Sequence, residues 1–357
     1  MSNANSLPLP DPDKVYRIVQ WASGRAGASA ARAVIRHPKM KLIGMWVHSP
    51  AKEGKDAGVL AGLEPIGVKA TRSLDQVIAL KPDCVLYMQE GCNLDDVCSM
   101  LESGINIVTT IGDFHFPPRM DPVVRKRVEE ACEKGQSSIH SSGVSPGFIT
   151  ETFPLMLTSL SRRIDSITVD EFGNLPPAVS ADMLLDVMGF GRSASQGIDP
   201  RRLEHTARHF AQSLGVVADA IGLPFQDVAT AGEVALATED VVLPGGRVIK
   251  EGTVAAQRVT LSGMRDGRAL IRMRLIWYCA TKTDPAWQYL ESGWRVSVEG
   301  DAPFEISIAL PETTEPRPSR MAGYSTYRVV NEVPYVCAAR PGIRTTADLP
   351  QIIPRFA

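Results

Sequence analysis

The stretch VYRIVQWASGRAGASAARAVIRHPKMKLIGMWVH, residues 15–48, decides the fold. Its first part, Val15–Trp21, is a short apolar run closed by Ala22-Ser23-Gly24, and it reads as a buried strand. The small residues Ala26–Ala31 follow, then Val34 and Ile35, a composition that suits a helix lying close against a sheet. Pro38 stops that helix, and Lys41–His48 is a second apolar strand. Strand, tight turn, small-residue helix and second strand fall within about thirty residues, the dimensions of a nucleotide-binding unit.

Outward from this unit the alternation continues. Asp83–Met88 and Ile105–Thr110 read as further strands. Leu94, Val97, Met100 and Leu101 stand at helical spacing between them, and Val123, Val124, Val128 and Ala131 share one face over Asp121–Lys134. Alternating strands and helices predict a doubly wound parallel sheet. Past residue 150 the pattern changes. Ile164–Asn174 reads as a strand and Pro200–Leu223 as a long amphipathic helix. From Val234 to Leu310, strand-like runs are punctuated by Pro244-Gly245-Gly246, Asp266-Gly267 and Gly300-Asp301, as in an antiparallel sheet with one covered face. Trp277, Tyr278, Trp287 and Trp294 read as packing for that sheet, and Met321–Ala339 reads as a last helix. The expectation is an α/β chain: a Rossmann domain over 15–150, an α+β domain with a mostly antiparallel sheet over 151–320, and a C-terminal helix and tail over 321–357.

Composition narrows the function. The chain has 357 residues, 44% apolar and 22% charged, which suits two packed domains and excludes a disordered or fibrous protein. Thirty-eight basic residues face 40 acidic ones, a net charge of −2 that excludes the basic footprint of a nucleic-acid binder. No run of about 18 apolar residues is present to span a membrane. The opening MSNANSLPLPDPDK lacks a secretory signal's apolar core and reads as a frayed tail. Cys84, Cys92, Cys98, Cys132, Cys279 and Cys337 show no CxxC pair and read as reduced thiols, the pattern of a cytoplasmic protein. His205 and His209 stand four apart on the long helix, but without the glutamate of a zinc protease between them they read as a solvated face, and no metal is expected.

The turn Ala22-Ser23-Gly24-Arg25-Ala26-Gly27 stands where a dinucleotide-binding chain has G-x-G-x-x-G, with Ala22 in place of the first glycine. Gly24 lets the backbone approach a pyrophosphate, Gly27 lets the helix pack on the strand, and the helix N-terminus offers N–H groups to phosphate. Ser23, Gly24, Arg25, Ala26 and Gly27 are therefore cofactor candidates. A site selective for NAD puts an acid on the ribose about 20 residues beyond the glycines. Here Val47-His48-Ser49-Pro50-Ala51-Lys52 has none before Glu53. His48, Ser49 and Lys52 suit a 2′-phosphate, so NADP(H) is favoured, with NAD(H) and a merely solvated loop as the other readings. The turns after the later strands supply Gln89, Glu90, Thr110 and Gly143 to the cofactor side of the crevice. Asp113 lies among Phe114, His115 and Phe116, where a partly desolvated carboxylate suits acid–base work; the alternative is an aspartate that caps its turn. His140 reads as a proton donor or as a satisfied histidine at a strand end. His115, Ser142, Val144, Ile149, Met188 and Phe190 read as substrate-pocket residues or as core.

VQWASGRAG (19–27), HSPAKEGKDAG (48–58), INIVTTIGDFHFPP (105–118) and SSGVSPGFITETFPL (141–155), in this arrangement, resemble the 2,4-diaminopentanoate dehydrogenase and native amine dehydrogenase family. Its members carry a dihydrodipicolinate-reductase-like N-terminal domain. The resemblance covers most of the chain and implies NAD(P)H-dependent reduction at a C=N or C=O carbon. It also implies a C-terminal helix returning to the Rossmann domain, and a homodimer formed through the second domain's sheet. Amine-active members commonly carry Glu where this chain has Gly112-Asp113, a carboxylate implied to handle ammonia and the carbinolamine; Asp113 is one methylene shorter. Ser145 stands where relatives often have Asn. The His-His motif of true dihydrodipicolinate reductases is absent. A carbonyl reductase without amine chemistry and a non-catalytic nucleotide sensor are the alternative expectations.

Overall fold

The computed structural model describes residues 8–177, 179–311 and 317–356, without the side chains of residues 202, 205, 209 and 317–321. Residues 1–7 of the expected tail, and the side chains of His205 and His209, lie outside what is described. The chain forms two compact units, residues 1–148 with 319–357, and residues 149–318.

The first unit is built from β1 (Tyr16–Trp21), α1 (Arg25–Arg36), β2 (Met40–Trp46), α2 (Ala57–Leu60), β3 (Ala70–Thr71), α3 (Leu74–Ala79), β4 (Cys84–Tyr87), α4 (Leu94–Glu102), β5 (Asn106–Thr109), α5 (Pro122–Gly135) and β6 (Ser138–Ser141). The helix Arg317–Ala338 and the strand Gly342–Arg344 complete it. Its seven strands are parallel in the order Gly342–Arg344, β6, β5, β4, β1, β2, β3. This is the Rossmann arrangement, and the order reverses beside β1, which places the crevice at the C-terminal ends of β1 and β4.

Both sheet faces are covered, which is why these strands read as continuous apolar runs. Ile18, Leu86 and Val108 pack against Ala30 and Val34 of α1 and against Val329, Val333 and Val336 of the helix Arg317–Ala338. Val19, Val85 and Ile107 pack on the other side against Val97 and Leu101 of α4 and Val128 of α5. Ser29 Oγ and Thr326 Oγ1 share a buried hydrogen bond of 2.9 Å, joining α1 to the C-terminal helix. The strand Gly342–Arg344 was not expected. It pairs with β6, Ile343 opposite Ile139, and at three residues is too short to show a period.

The second unit holds a mixed seven-stranded sheet ordered Thr283–Asp284, Asp227–Ala237, Val254–Arg265, Arg268–Tyr278, Ile164–Asn174, Ser292–Gly300, Phe304–Ala309. Of the ladders described, that of Arg268–Tyr278 with Ile164–Asn174 is parallel and the others antiparallel. The hairpin at Asp266-Gly267 has both residues left-handed (φ +50 and +74), the conformation that a two-residue connection needs to match strand twist. The helix Pro200–Ala220 lies along one face, where a Cβ on Gly232 would stand 3.0 Å from Leu203 Cδ2. All six cysteines are free thiols, four of them buried.

Candidate functional site

The glycine turn is open. β1 ends at Trp21, and Ala22 takes φ +71, the left-handed conformation that the missing first glycine would adopt freely. For alanine that conformation costs about 1–2 kcal/mol. Two bonds hold it: Ala22 N–H donates to the Trp46 carbonyl at 2.9 Å, and Gln20 Nε2 donates to the Ala22 carbonyl at 3.1 Å. Gly24 then starts α1 with no side-chain cap and no acid in the first turn. A Cβ built on Gly24 meets nothing within 4 Å, whereas one on Gly27 falls 2.2 Å from the Ala22 carbonyl oxygen. An uncapped helix N-terminus beside open space fits a pyrophosphate. Lys52 Nζ donates to Ser23 Oγ at 3.0 Å and to the Ser23 carbonyl at 3.2 Å, fixing a positive charge on this turn. Arg25 and Gly24 are exposed, and Ser23 and Ala26 half-buried.

At the end of β2, Trp46 stacks on the buried Trp21 at 4.3 Å, and the exposed His48 meets Trp46 edge-on at 6.2 Å. Ser49 is half-buried ahead of the short turn Pro50–Lys52. Asp56, the first buried acid after the strand, accepts from the backbone N–H groups of Ile66, Gly58 and Gly67. Those bonds, Ile66 foremost, hold its carboxyl below the usual carboxylate range, and they occupy it in shaping its own loop. Arg72, absent from the sequence expectation, reaches this corner: its Nε donates to the His48 carbonyl at 3.1 Å.

The turns after β4, β5 and β6 complete the unit's crevice. Half-buried Gln89 accepts from Trp21 Nε1 (2.9 Å) and donates to the Tyr87 hydroxyl (2.7 Å), tying β1 to β4, while Glu90 is exposed. Thr110 is half-buried, and the neighbouring Thr109 hydroxyl donates to the Tyr87 carbonyl. Asp113 departs from the desolvation expected of it. It sits exposed in the turn Gly112–Phe114, because this turn sends Phe114, His115 and Phe116 inward to 1%, 2% and 8% exposure.

His140 is 1% exposed and lies in a buried polar network. Its Nδ1 lies 2.7 Å from the Arg344 carbonyl, which can only accept, so Nδ1 carries the proton. Its Nε2 lies 3.7 Å from Glu332 Oε1. Glu332, fully buried on the C-terminal helix, also accepts from Ser142 Oγ at 2.8 Å and pairs with Arg328 at 2.6 Å, and the Arg328 guanidinium lies over Phe148. Burial pushes the Glu332 carboxyl up, but Arg328, His140 and Ser142 together outweigh it and hold the group below its ordinary range. Gly143 is buried beside the Pro146 carbonyl, and Val144 N–H donates to Ser325 Oγ at 3.4 Å. Sequence reasoning missed Ser325, Arg328 and Glu332; the one signal was an i, i+4 charge pair inside an apolar helix.

Ile149, Met188 and Phe190 belong to the second unit. Ile149 and Phe190 are each 1% exposed, Phe190 packs in a core with Leu184, Leu243 and Val254, and half-buried Met188 lies against that core. Among the described residues, no cluster of three or more His, Cys, Asp or Glu is placed to hold a metal, and no helix is long and apolar enough to cross a membrane.

A family model described as the 2,4-diaminopentanoate dehydrogenase C-terminal domain matches residues 148–355, and one described as dihydrodipicolinate reductase, N-terminus, matches residues 18–110. The chain is 27% identical to an amine dehydrogenase of Streptomyces virginiae, over 93% of this chain and 95% of that one. It is 24% identical to a 2,4-diaminopentanoate dehydrogenase of Acetoanaerobium sticklandii, over 90% and 86%. The structure of an amine dehydrogenase from Mycobacterium smegmatis shares the fold, with a TM-score of 0.71, 18% identity, and coverage of 96% and 98%.

Proposed function

The chain belongs to the family of the 2,4-diaminopentanoate dehydrogenase C-terminal domain and is an NAD(P)-dependent oxidoreductase, and from that premise we propose that it reduces the C=N or C=O carbon of a small to medium substrate with NADP(H) as preferred cofactor. The observation that carries this reading is the open glycine turn: an uncapped helix start, free space at Gly24 and the Lys52 ammonium fixed on Ser23. Bound there, a dihydronicotinamide supplies the hydride. The protein's share is placement and a proton. The backbone N–H groups of Arg25 and Ala26 would hold the pyrophosphate, and the turns that carry Gln89, Thr110 and Gly143 would hold the rest of the cofactor. Asp113, exposed after β5, holds or delivers the proton that the reduced nitrogen or oxygen takes up. His140 and Glu332, buried below that crevice, act through Ser142 as positioning residues.

Amine chemistry is supported by the names of the relatives that span most of the chain. Carbonyl reduction without amines is the second reading, favoured by Gly112-Asp113 in place of the glutamate implied by the resemblance. NADPH oxidation across a panel of ketones, with and without ammonium, separates them. Turnover that depends on ammonium supports the amine reading, turnover indifferent to it supports the carbonyl reading, and no turnover on either panel contradicts both. In the active case, Asp113→Asn should cost about 10²–10⁴-fold in kcat and leave cofactor affinity unchanged.

A further inference from the structure

Arg72 directly follows β3, and β3 pairs in parallel with the end of β2, Thr71 opposite Trp46. The pairing puts Arg72 at the corner where β2 ends. Three bonds fix it there. Trp46 Nε1 donates to the Arg72 carbonyl at 3.0 Å, Val47 N–H donates to the Thr71 carbonyl at 2.9 Å, and Arg72 Nε donates to the His48 carbonyl at 3.1 Å. Trp46 is itself immobilised by its stack on Trp21, with the rings 6° from parallel. The side chain is exposed, and its two Nη atoms have no hydrogen-bond or ion-pair partner among the described residues.

Among the described residues, no carboxylate pairs with this charge. Asp56 is occupied by the backbone of its own loop. Lys52, the cation that the sequence offers first, is turned toward the phosphate turn and held on Ser23. In a doubly wound sheet the adenosine ribose lies at the end of the second strand. A guanidinium there presents a planar pair of donors that matches two phosphate oxygens. Because its Nε is already held, Arg72 loses little freedom on binding.

We propose that Arg72 is the residue that selects NADP(H) over NAD(H), its Nη edge taking the 2′-phosphate, while Lys52 positions the pyrophosphate turn. The proposal rests on the glycine turn being a nicotinamide-dinucleotide site. It requires no exclusion of NADH, since without a 2′-phosphate Arg72 stays hydrated.

Calorimetry on the full chain with adenosine 2′,5′-bisphosphate and 5′-AMP tests it without turnover. The native protein should bind the bisphosphate about 10–100-fold tighter than AMP, the range of one charged hydrogen-bonded contact, and the gap should shrink with added salt. Arg72→Ala should close the gap and leave AMP affinity as it was; Arg72→Lys should restore part of it. Lys52→Ala should weaken both ligands alike. A gap that survives Arg72→Ala in a variant of native melting temperature overturns the assignment of Arg72 and leaves the NADP(H) reading intact. No gap in the native protein overturns the NADP(H) preference and the proposal with it. Failure of both nucleotides to bind overturns the reading of the glycine turn.

Discussion

Gly24 and Gly27 belong to one turn but answer to different demands, and substitution separates them. A methyl group on Gly27 would lie within 2.2 Å of the Ala22 carbonyl, so α1 must shift off β1. Gly27→Ala should therefore cost at least about 1–3 kcal/mol of stability, as overpacking does. A methyl group on Gly24 meets nothing, so Gly24→Ala should melt as the native protein does and lose affinity for the dinucleotide, whose phosphates need that space. Thermal melts and NADPH titration of both variants check this, and a normal cofactor affinity in Gly24→Ala would count against phosphate at this turn. Such roles are legible in sequence because they depend on neighbours within one turn. Arg72 was not legible: its place depends on a two-residue strand pairing with β2, and its only local sign is a basic residue after Thr71. Asp113 shows the converse. Its aromatic neighbours were plain to read, but a single 3-10 turn decides that they point inward and the carboxylate outward.

Among the elements, the C-terminal helix Arg317–Ala338 combines both cases. Its apolar positions announce a helix, and Val329, Val333 and Val336 do enter the core beside α1. Nothing in that periodicity says that Ser325, Arg328 and Glu332 would meet the loop after β6, over 180 residues earlier in the chain. The contact is nonetheless testable. Glu332 is fully buried and its charge is answered by Arg328 and His140, so Glu332→Gln leaves Arg328 unbalanced. Breaking such a buried pair costs about 3–5 kcal/mol. Because the folded state holds the carboxyl below its ordinary range, its contribution is complete above the unfolded-state pKa and is lost as pH falls through the lower folded value. Urea unfolding should thus show a large deficit for Glu332→Gln at pH 7 that narrows steadily on acidification. A variant as stable as the native protein at pH 7 would mean that the network adds nothing net.

On the scale of the whole molecule, the two sheets differ in what their strands conceal. The parallel sheet is covered on both faces, so its strands read as unbroken apolar runs. In the second unit the alternation announces strands, but not that Arg268–Tyr278 lies parallel to Ile164–Asn174, which is reached by a long excursion rather than a hairpin. That alternation has a further consequence. Gly232 faces Leu203 of the helix Pro200–Ala220, so its neighbour Glu233 points to the opposite face. There Glu233 pairs with Arg258, Asp170 with Arg274, and Arg295 lies over Phe172, while Trp287 packs beneath Arg258. Among the described residues of the second unit, the long helix Pro200–Ala220 lies on the other face. Alternating acids and arginines around the half-buried Trp287 and the buried Phe172 make a surface complementary to its own two-fold image, and we propose that two copies pair across it. Light scattering at micromolar concentration should give about twice the chain mass. Replacing Trp287 by Asp removes the apolar ring beneath Arg258 and should shift the mass toward one chain while the melting of the first unit stays put. A single-chain mass for the native protein, at every concentration up to tens of micromolar, would remove the interface and leave Arg258, Arg274 and Arg295 as solvated ends of intrachain pairs.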